Sequence, residues 1–365
     1  MVSIMNDLFS SLLNQKKTKY IILDKIIPDL SGKINLYIDL RSVFSSFFSN
    51  RFSDEVILSD FSYIDIMAEI INTAGHYCGY FIKNQLPVDY INCFILYSDK
   101  ISPKKLEIYP EYKKSFYERR NGMTSVISRF NTKFTKCLEA IPEILMCIPK
   151  IFYVNTGDID TYDSLRFFIK PTDDETNIII TNDVQYFPYI SNKCRTAILT
   201  MKGDNSTFLT SKNVYDYLTE FNKITQDNDF KLGTSQILPL IVMSGNKKND
   251  VSSIGRIGYS NGSQLLNKLV NKGIIPRKGL LLLSDYLDLI DKNADDFKLD
   301  ENKRKLFERN WKLFTVREQE LVLTTVEKTF LENQLSRKLD SFDTYNSFNH
   351  DLFSKNILSL DFMFK

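Results

Sequence analysis

Two hydrophobic patterns alternate along the first two thirds of the chain. Short apolar runs stand at Ile34-Asn-Leu-Tyr-Ile-Asp39, Ile91-Asn-Cys-Phe-Ile-Leu-Tyr97, Ile151-Phe-Tyr-Val154 and Asn177-Ile-Ile-Ile-Thr181. Their length and their β-branched and aromatic content predict buried strands. Helical spacing of apolar positions fills Asn6 to Lys16 and Tyr63 to Lys83. Strands alternating with helices predict an α/β fold with a mostly parallel sheet. Residues 204–229 read as an insertion with some helix. After about residue 225 the alternation stops and helices dominate: Gln236 to Gly245, then a glycine-punctuated turn at Ile254-Gly-Arg-Ile-Gly258, then Leu265 to Val270 and a long charged stretch from Leu299 to Leu339. A polar tail rich in Asn, Ser and Asp follows.

Each predicted strand runs out into acid. Asp39 ends the first, Asp99 follows the second, Asp158, Asp160 and Asp163 follow the third at the head of a helix, and Asp183 follows the fourth. In open parallel sheets the ligand site lies beyond the carboxyl ends of the strands, so these acids are expected to converge. Any one of them serves equally well as a turn former or helix N-cap; it is the fourfold recurrence that points to a site. Clustered carboxylates repel unless a divalent cation neutralises them, and all-oxygen ligation suits Mg²⁺ or Mn²⁺.

Composition narrows the chemistry further. The 365 residues carry 43% hydrophobic and 13% aromatic side chains, which excludes a largely disordered or fibrous protein. No run approaches the roughly 20 apolar residues of a membrane span, and Asp7 stands where a secretion signal needs a positive start and an apolar run. The expectation is a soluble protein that is not exported. Five cysteines without a CxxC pair and only two histidines leave little for a disulfide framework or an imidazole metal site, so any metal chemistry falls to carboxylates.

Charge is unevenly spread. Between the second and third strands, residues 104–136 hold nine basic residues (Lys104, Lys105, Lys113, Lys114, Arg119, Arg120, Arg129, Lys133 and Lys136) against three glutamates, with Tyr109, Tyr112, Phe116, Tyr117, Phe130 and Phe134 interleaved. Cations neutralise phosphates and aromatic faces stack on unpaired bases, so the segment reads as a binding surface for single-stranded nucleic acid. A solvated helical face with a few core aromatics gives the same composition.

The order of these elements resembles the 5′ nuclease superfamily of flap endonucleases and 5′→3′ exonucleases, and within it the RNase H-type 5′ exonucleases of T-even-like bacteriophages. The residues that carry the likeness are Tyr37-Ile-Asp39, Leu96-Tyr-Ser-Asp99, Tyr109-Pro-Glu-Tyr-Lys-Lys114, Asp160-Thr-Tyr-Asp163, Ile180-Thr-Asn-Asp183 and Ser244-Gly-Asn-Lys-Lys-Asn-Asp250. The resemblance spans about residues 34 to 335. It implies a PIN-like nuclease domain over 1–225 with a basic helical arch at about 104–148, a helical DNA-binding domain over 226–340, and a linker and tail over 341–365.

It also implies two-metal phosphodiester hydrolysis. Asp39, Asp99, Asp160, Asp163 and Asp183 match the family's first Mg²⁺ or Mn²⁺ site, and Asp250 is a candidate for part of a second. Lys113 matches the arch lysine that contacts the scissile phosphate. Lys114, Arg119, Arg120, Arg129, Lys133 and Lys136 supply further contacts to DNA or an RNA–DNA hybrid. Three positions depart from the family pattern: Gln185, Asn246 and Asn249 stand where it has acids, and each exchange removes a negative charge from the second site. Phe116 likewise replaces an arch arginine.

The last residues, Ser359-Leu-Asp-Phe-Met-Phe364, resemble the terminal peptide by which T-even-like phage polymerases and late-transcription factors bind the sliding clamp. The expected contacts are Leu360, Asp361, Phe362 and Phe364, buried in a partner pocket at the end of a flexible linker; folding back onto the body as core is the alternative. The whole reading is a phage-encoded 5′ nuclease acting in the host cytoplasm at 5′ ends during replication. Its rival is a nuclease-derived factor without hydrolysis that docks on the clamp and a polymerase.

Overall fold

The four apolar runs become the centre of one sheet. The computed structural model describes residues 33–43, 91–98, 100–115, 118, 132–138, 151–169, 175–191, 193–202, 205–220, 224–226, 229–279 and 281–315. Strands β1 (Lys33–Asp39), β2 (Ile91–Tyr97), β3 (Ile151–Asn155) and β4 (Glu175–Ile180) are joined by β5 (Thr196–Lys202) and β6 (Asn205–Leu209). The order is β3-β2-β1-β4-β5-β6. Every pairing is parallel except β5 with β6. Leu36, Ile38, Ile95, Leu96, Ile178, Ile179 and Ile180 are buried, as expected where helices cover both faces of a parallel sheet.

Polar side chains inside the strands are paired with one another. Asn92 Nδ2 donates to Asn35 Oδ1 at 3.0 Å, Asn35 Nδ2 to Glu175 at 3.0 Å, and Asn177 Nδ2 to the Cys194 carbonyl at 3.0 Å. The chain order steps outward from β1 through β2 to β3 and then returns to the other side of β1 as β4. That reversal is a topological switch point, where connections leave in opposite directions and open a crevice at the carboxyl ends. Asp39 and the residues following β4 lie on its two sides, because Ile38 pairs with Ile180.

Helices α1 (Pro103–Ile108), α2 (Thr161–Phe168) and α3 (Val214–Leu218) belong to the sheet half. Beyond them come α4 (Ile237–Ser244), α5 (Tyr259–Asn271), α6 (Leu283–Lys292), α7 (Ala294–Phe297) and α8 (Glu301–Phe314). The predicted helices at Asn6–Lys16 and Tyr63–Lys83, and the stretch beyond residue 315, lie outside the described residues. Helix α4 is apolar all round because it is covered all round, by α5, α8 and the 3₁₀ turn at Val184–Tyr189. Trp311 of α8 lies against Tyr286 with ring centroids 4.9 Å apart. One buried cluster runs from Tyr37 and Ile179 of the sheet to Trp311 and Phe314 of α8. No helix among the described residues is long and apolar enough to cross a membrane.

Helix α4 ends at Gly245, whose φ of 69° and ψ of −172° suit only glycine. A Cβ here would also stand 2.5 Å from the Val251 carbonyl oxygen, inside the turn closed by the Asn246–Val251 bridge. Gly245→Ala is therefore expected to lower unfolding stability by at least about 1–3 kcal/mol from the backbone alone, with the clash adding to it. Urea unfolding measures this, and a loss below about 0.5 kcal/mol, the size of an ordinary surface substitution, would contradict the assigned turn.

Candidate functional site

The carboxyl edge of the sheet places two of the predicted acids, Asp39 and Asp183, together. Asp39, buried at the end of β1, accepts the Ser42 N–H at 3.2 Å and the Thr181 hydroxyl at 3.0 Å. Thr181 in turn accepts the Asp183 N–H at 3.1 Å, so one hydroxyl ties the two strand ends together. Burial, and then the charge of Asp183, push the Asp39 carboxyl above the ordinary range. Asp183 caps the following 3₁₀ turn by accepting the Gln185 N–H at 3.0 Å. It also accepts Asn246 Nδ2 at 2.9 Å and Asn249 Nδ2 at 3.3 Å.

Asp160, at the head of α2, belongs to a different environment. Its Oδ2 accepts from Lys105 Nζ at 2.8 Å and from the Tyr112 hydroxyl at 3.0 Å, and its Oδ1 from Lys113 Nζ at 2.9 Å. Lys105 also pairs with Asp163 at 2.7 Å and bonds the Tyr162 hydroxyl. The Lys105 side chain is only 2% exposed. Burial would raise the Asp160 carboxyl, but Lys105 and Lys113 override it and hold Asp160 well below the carboxylate range. Asp163, one turn further into the helix, moves the other way: burial raises it, and its Oδ1 is buried without a hydrogen-bond partner. For Lys113, 22% exposed, burial disfavours the ammonium, yet Asp160 and then Asp183 raise its pKa above the usual lysine value.

The remaining predicted residues are dispersed. Asp250 accepts the Ser115 N–H at 2.7 Å and the Ser115 hydroxyl at 2.5 Å, at the base of the basic segment. Lys114 is half-exposed and paired with Glu111 at 2.7 Å. Lys133 and Lys136 lie on a helical stretch at 132–138. Asp99, Arg119, Arg120 and Arg129, and the tail residues Leu360, Asp361, Phe362 and Phe364, lie outside the described residues. Asp158, also at the strand end, is exposed and paired with Lys100 at 3.1 Å.

Sequence reasoning missed Lys105 and Tyr112 as members of the cluster. A signal was present: Ile101, Lys105, Ile108 and Tyr112 recur at helical spacing, which puts Lys105 on the apolar face of its segment.

No protein-family model matches the chain, and no curated protein matches it. Among solved structures it is similar to the flap endonuclease of bacteriophage T5 in a pseudo-enzyme–product complex with DNA and metal ions, at 13% identity and a TM-score of 0.52, over 89% of this chain and 99% of that one. It is also similar to the T5 5′-exonuclease with bound divalent zinc ions, at 13% identity and a TM-score of 0.51, over 89% of this chain and 100% of that one. The fold is the PIN-like α/β fold of these 5′ nucleases.

The donors and acceptors within this nuclease fold can be tested against a metal centre. A carboxylate offers about four lone-pair positions. Asp160 and Asp183 each already accept three hydrogen bonds. Asn246 turns its N–H toward Asp183 while its Oδ1 accepts the Lys248 N–H at 3.0 Å, so neither end of that amide is free to ligate. Among the described residues no three His, Cys, Asp or Glu side chains form a set able to hold a metal ion. The Asp39–Asp183 pair is the exception in kind: two carboxylates whose mutual repulsion adds to burial, which one divalent cation would relieve. The described residues thus offer a first cation two carboxylates, one of them already accepting three hydrogen bonds, and offer a second no acid at Asn246 and Asn249.

Lys105 yields a stability prediction. Removing one partner of a buried ion pair costs about 3–5 kcal/mol, because the other charge is stranded. Lys105→Met is expected to lose that much at pH 7 in urea unfolding. In the native protein Asp160 is depressed, so its contribution is present above its unfolded pKa near 3.9 and is lost as pH falls through the folded value. In the variant the stranded acids rise, so the deficit shrinks as pH falls from 7 toward 5. A deficit that is small or independent of pH would contradict the ion triad.

Proposed function

We propose that the protein is a 5′ nuclease-like protein that acts on the 5′ ends of DNA or RNA-primed DNA. The observation that carries this reading is the meeting of Lys113, from the base of the basic segment, with Asp160 and the field of Asp183 at the switch point of a 5′ nuclease fold. Asp39 and Asp183, with Asp99, are the residues to hold Mg²⁺ or Mn²⁺. Such an ion supplies Lewis-acid stabilisation and an activated water at a phosphodiester. Lys113 is at once fixed and partly exposed, so it meets a strand phosphate as a pre-oriented cation and offsets charge that develops there. Arg119, Arg120, Arg129, Lys133 and Lys136 are the further phosphate contacts of this reading, while Tyr112, buried against Asp160, is not among the aromatics that can stack on a base.

A second reading is favoured by one observation, the donation of the Asn246 and Asn249 amides to Asp183 where acids belong in the family pattern. On that reading the protein keeps the strand-binding surface, has no hydrolysis, and works as an accessory factor beside a polymerase. The first reading places it in phage replication and the second in replication or late transcription, both in the host cytoplasm, with Leu360, Asp361, Phe362 and Phe364 docking on a sliding clamp.

One measurement separates these readings, and a second tests the tail that both share. On a 5′-labelled flap and an RNA-primed nick, Mg²⁺- or Mn²⁺-dependent product is expected, and the Asp183→Ala protein is expected to make none. Retention on the same DNA without product from the unmodified protein would sink the nuclease claim and leave the accessory factor. Removing residues 359–365 is expected to abolish capture by a T-even-type clamp while flap binding stays unchanged, and undiminished capture would refute the tail assignment.

A further inference from the structure

Asp250 does not face the acid cluster through any described contact, although its neighbours do. Around it the loop from Asn246 to Asp250 bonds in two directions. Toward the sheet, the Asn246 and Asn249 amides hold Asp183 at 2.9 and 3.3 Å. Toward the basic segment, the Asn249 carbonyl accepts the Lys113 N–H at 3.0 Å, and the Asp250 carboxylate takes both the N–H and the hydroxyl of Ser115. Lys113 itself has a φ of 58°, a left-handed conformation unfavourable for a lysine unless its surroundings impose it.

We infer that the 246–250 loop is a hydrogen-bonded brace that sets the position of Lys113, with Asp250 as its principal positioning residue. The brace spans the crevice. One end grips the carboxylate that ends the β4 edge, and the other grips the two residues that flank and include the phosphate-binding lysine. Its placement of the Lys113 ammonium at Asp160 comes from two backbone contacts, at the Lys113 N–H and at the Ser115 N–H two residues on. The significance for strand binding rests on the function proposed above; the brace itself does not.

Asp250 lies at a φ of 57°, so Asp250→Gly removes the carboxylate without backbone strain, and Asp250→Asn keeps an acceptor for Ser115 at a position asparagine tolerates. Amide hydrogen exchange on the full chain is the first readout. In Asp250→Gly the Lys113 and Ser115 amides are expected to lose at least tenfold in protection while β1, β4 and α4 keep theirs, and Asp250→Asn is expected to restore most of it. Unchanged protection at both amides would overturn the brace, and so would a loss spread equally over the sheet.

The second readout is affinity for a 5′-overhang duplex in a double-mutant cycle. Lys113→Ala is expected to weaken binding severalfold in the unmodified protein and to add little in the Asp250→Gly background. Full additivity would overturn the claim that Asp250 acts through Lys113. If Lys113→Ala alone leaves binding unchanged, the strand-binding reading fails, and the exchange result still decides the brace.

Discussion

A buried lysine holds the acid edge of this fold together. Lys105 lies between Asp160 and Asp163 at 2.8 and 2.7 Å, with almost no exposure and its ammonium also on the Tyr162 hydroxyl. Two carboxylates beneath the head of one helix would otherwise repel across a medium that screens poorly. The ammonium removes that repulsion and fixes α2 against α1. Tyr162 then reaches across to the Leu313 carbonyl at 2.6 Å, which carries the same constraint into the helical half. Because Asp160 also holds Lys113, the position of the Lys113 ammonium depends on the same buried group.

The rest of the crevice is arranged by neutral donors. Thr181 joins Asp39 to Asp183, and the Asn246 and Asn249 amides finish the coordination of Asp183. Helix α8 stabilises that loop from behind: Asn310, fully buried, donates to the Val242 and Ser252 carbonyls at 3.0 Å each. The chain thus spends hydrogen bonds where an acid-rich site would need cations. On the proposed function this leaves Asp39 and Asp183 for one divalent ion and no acid at Asn246 and Asn249 for a second.

Much of the frame was legible in the sequence. The central strands β1 to β4 are continuous apolar runs, a pattern that fully buried parallel strands require, and the acids that end them follow from the same register. The strands β5 and β6 are not legible in the sequence, since polar threonines and asparagine interrupt Thr196–Lys202 and Asn205–Leu209 near one edge of the sheet. The site was legible in its acids and not in their partners. Lysine is almost never fully buried, so composition places Lys105 on a solvated face, and only its spacing with Ile101, Ile108 and Tyr112 says otherwise. Asp163 shares a helix face with Asp160 by its spacing, but what it meets there is a lysine far away in sequence. The Asp250–Ser115 contact joins residues too distant for any local pattern to report.

The proposed function requires the crevice to bind one divalent cation at Asp39 and Asp183. Titration of the protein with Mn²⁺, with free ion counted by electron paramagnetic resonance, tests it directly. The account predicts one equivalent bound per chain, lost in Asp39→Asn; two equivalents, or one that survives Asp39→Asn, would contradict it.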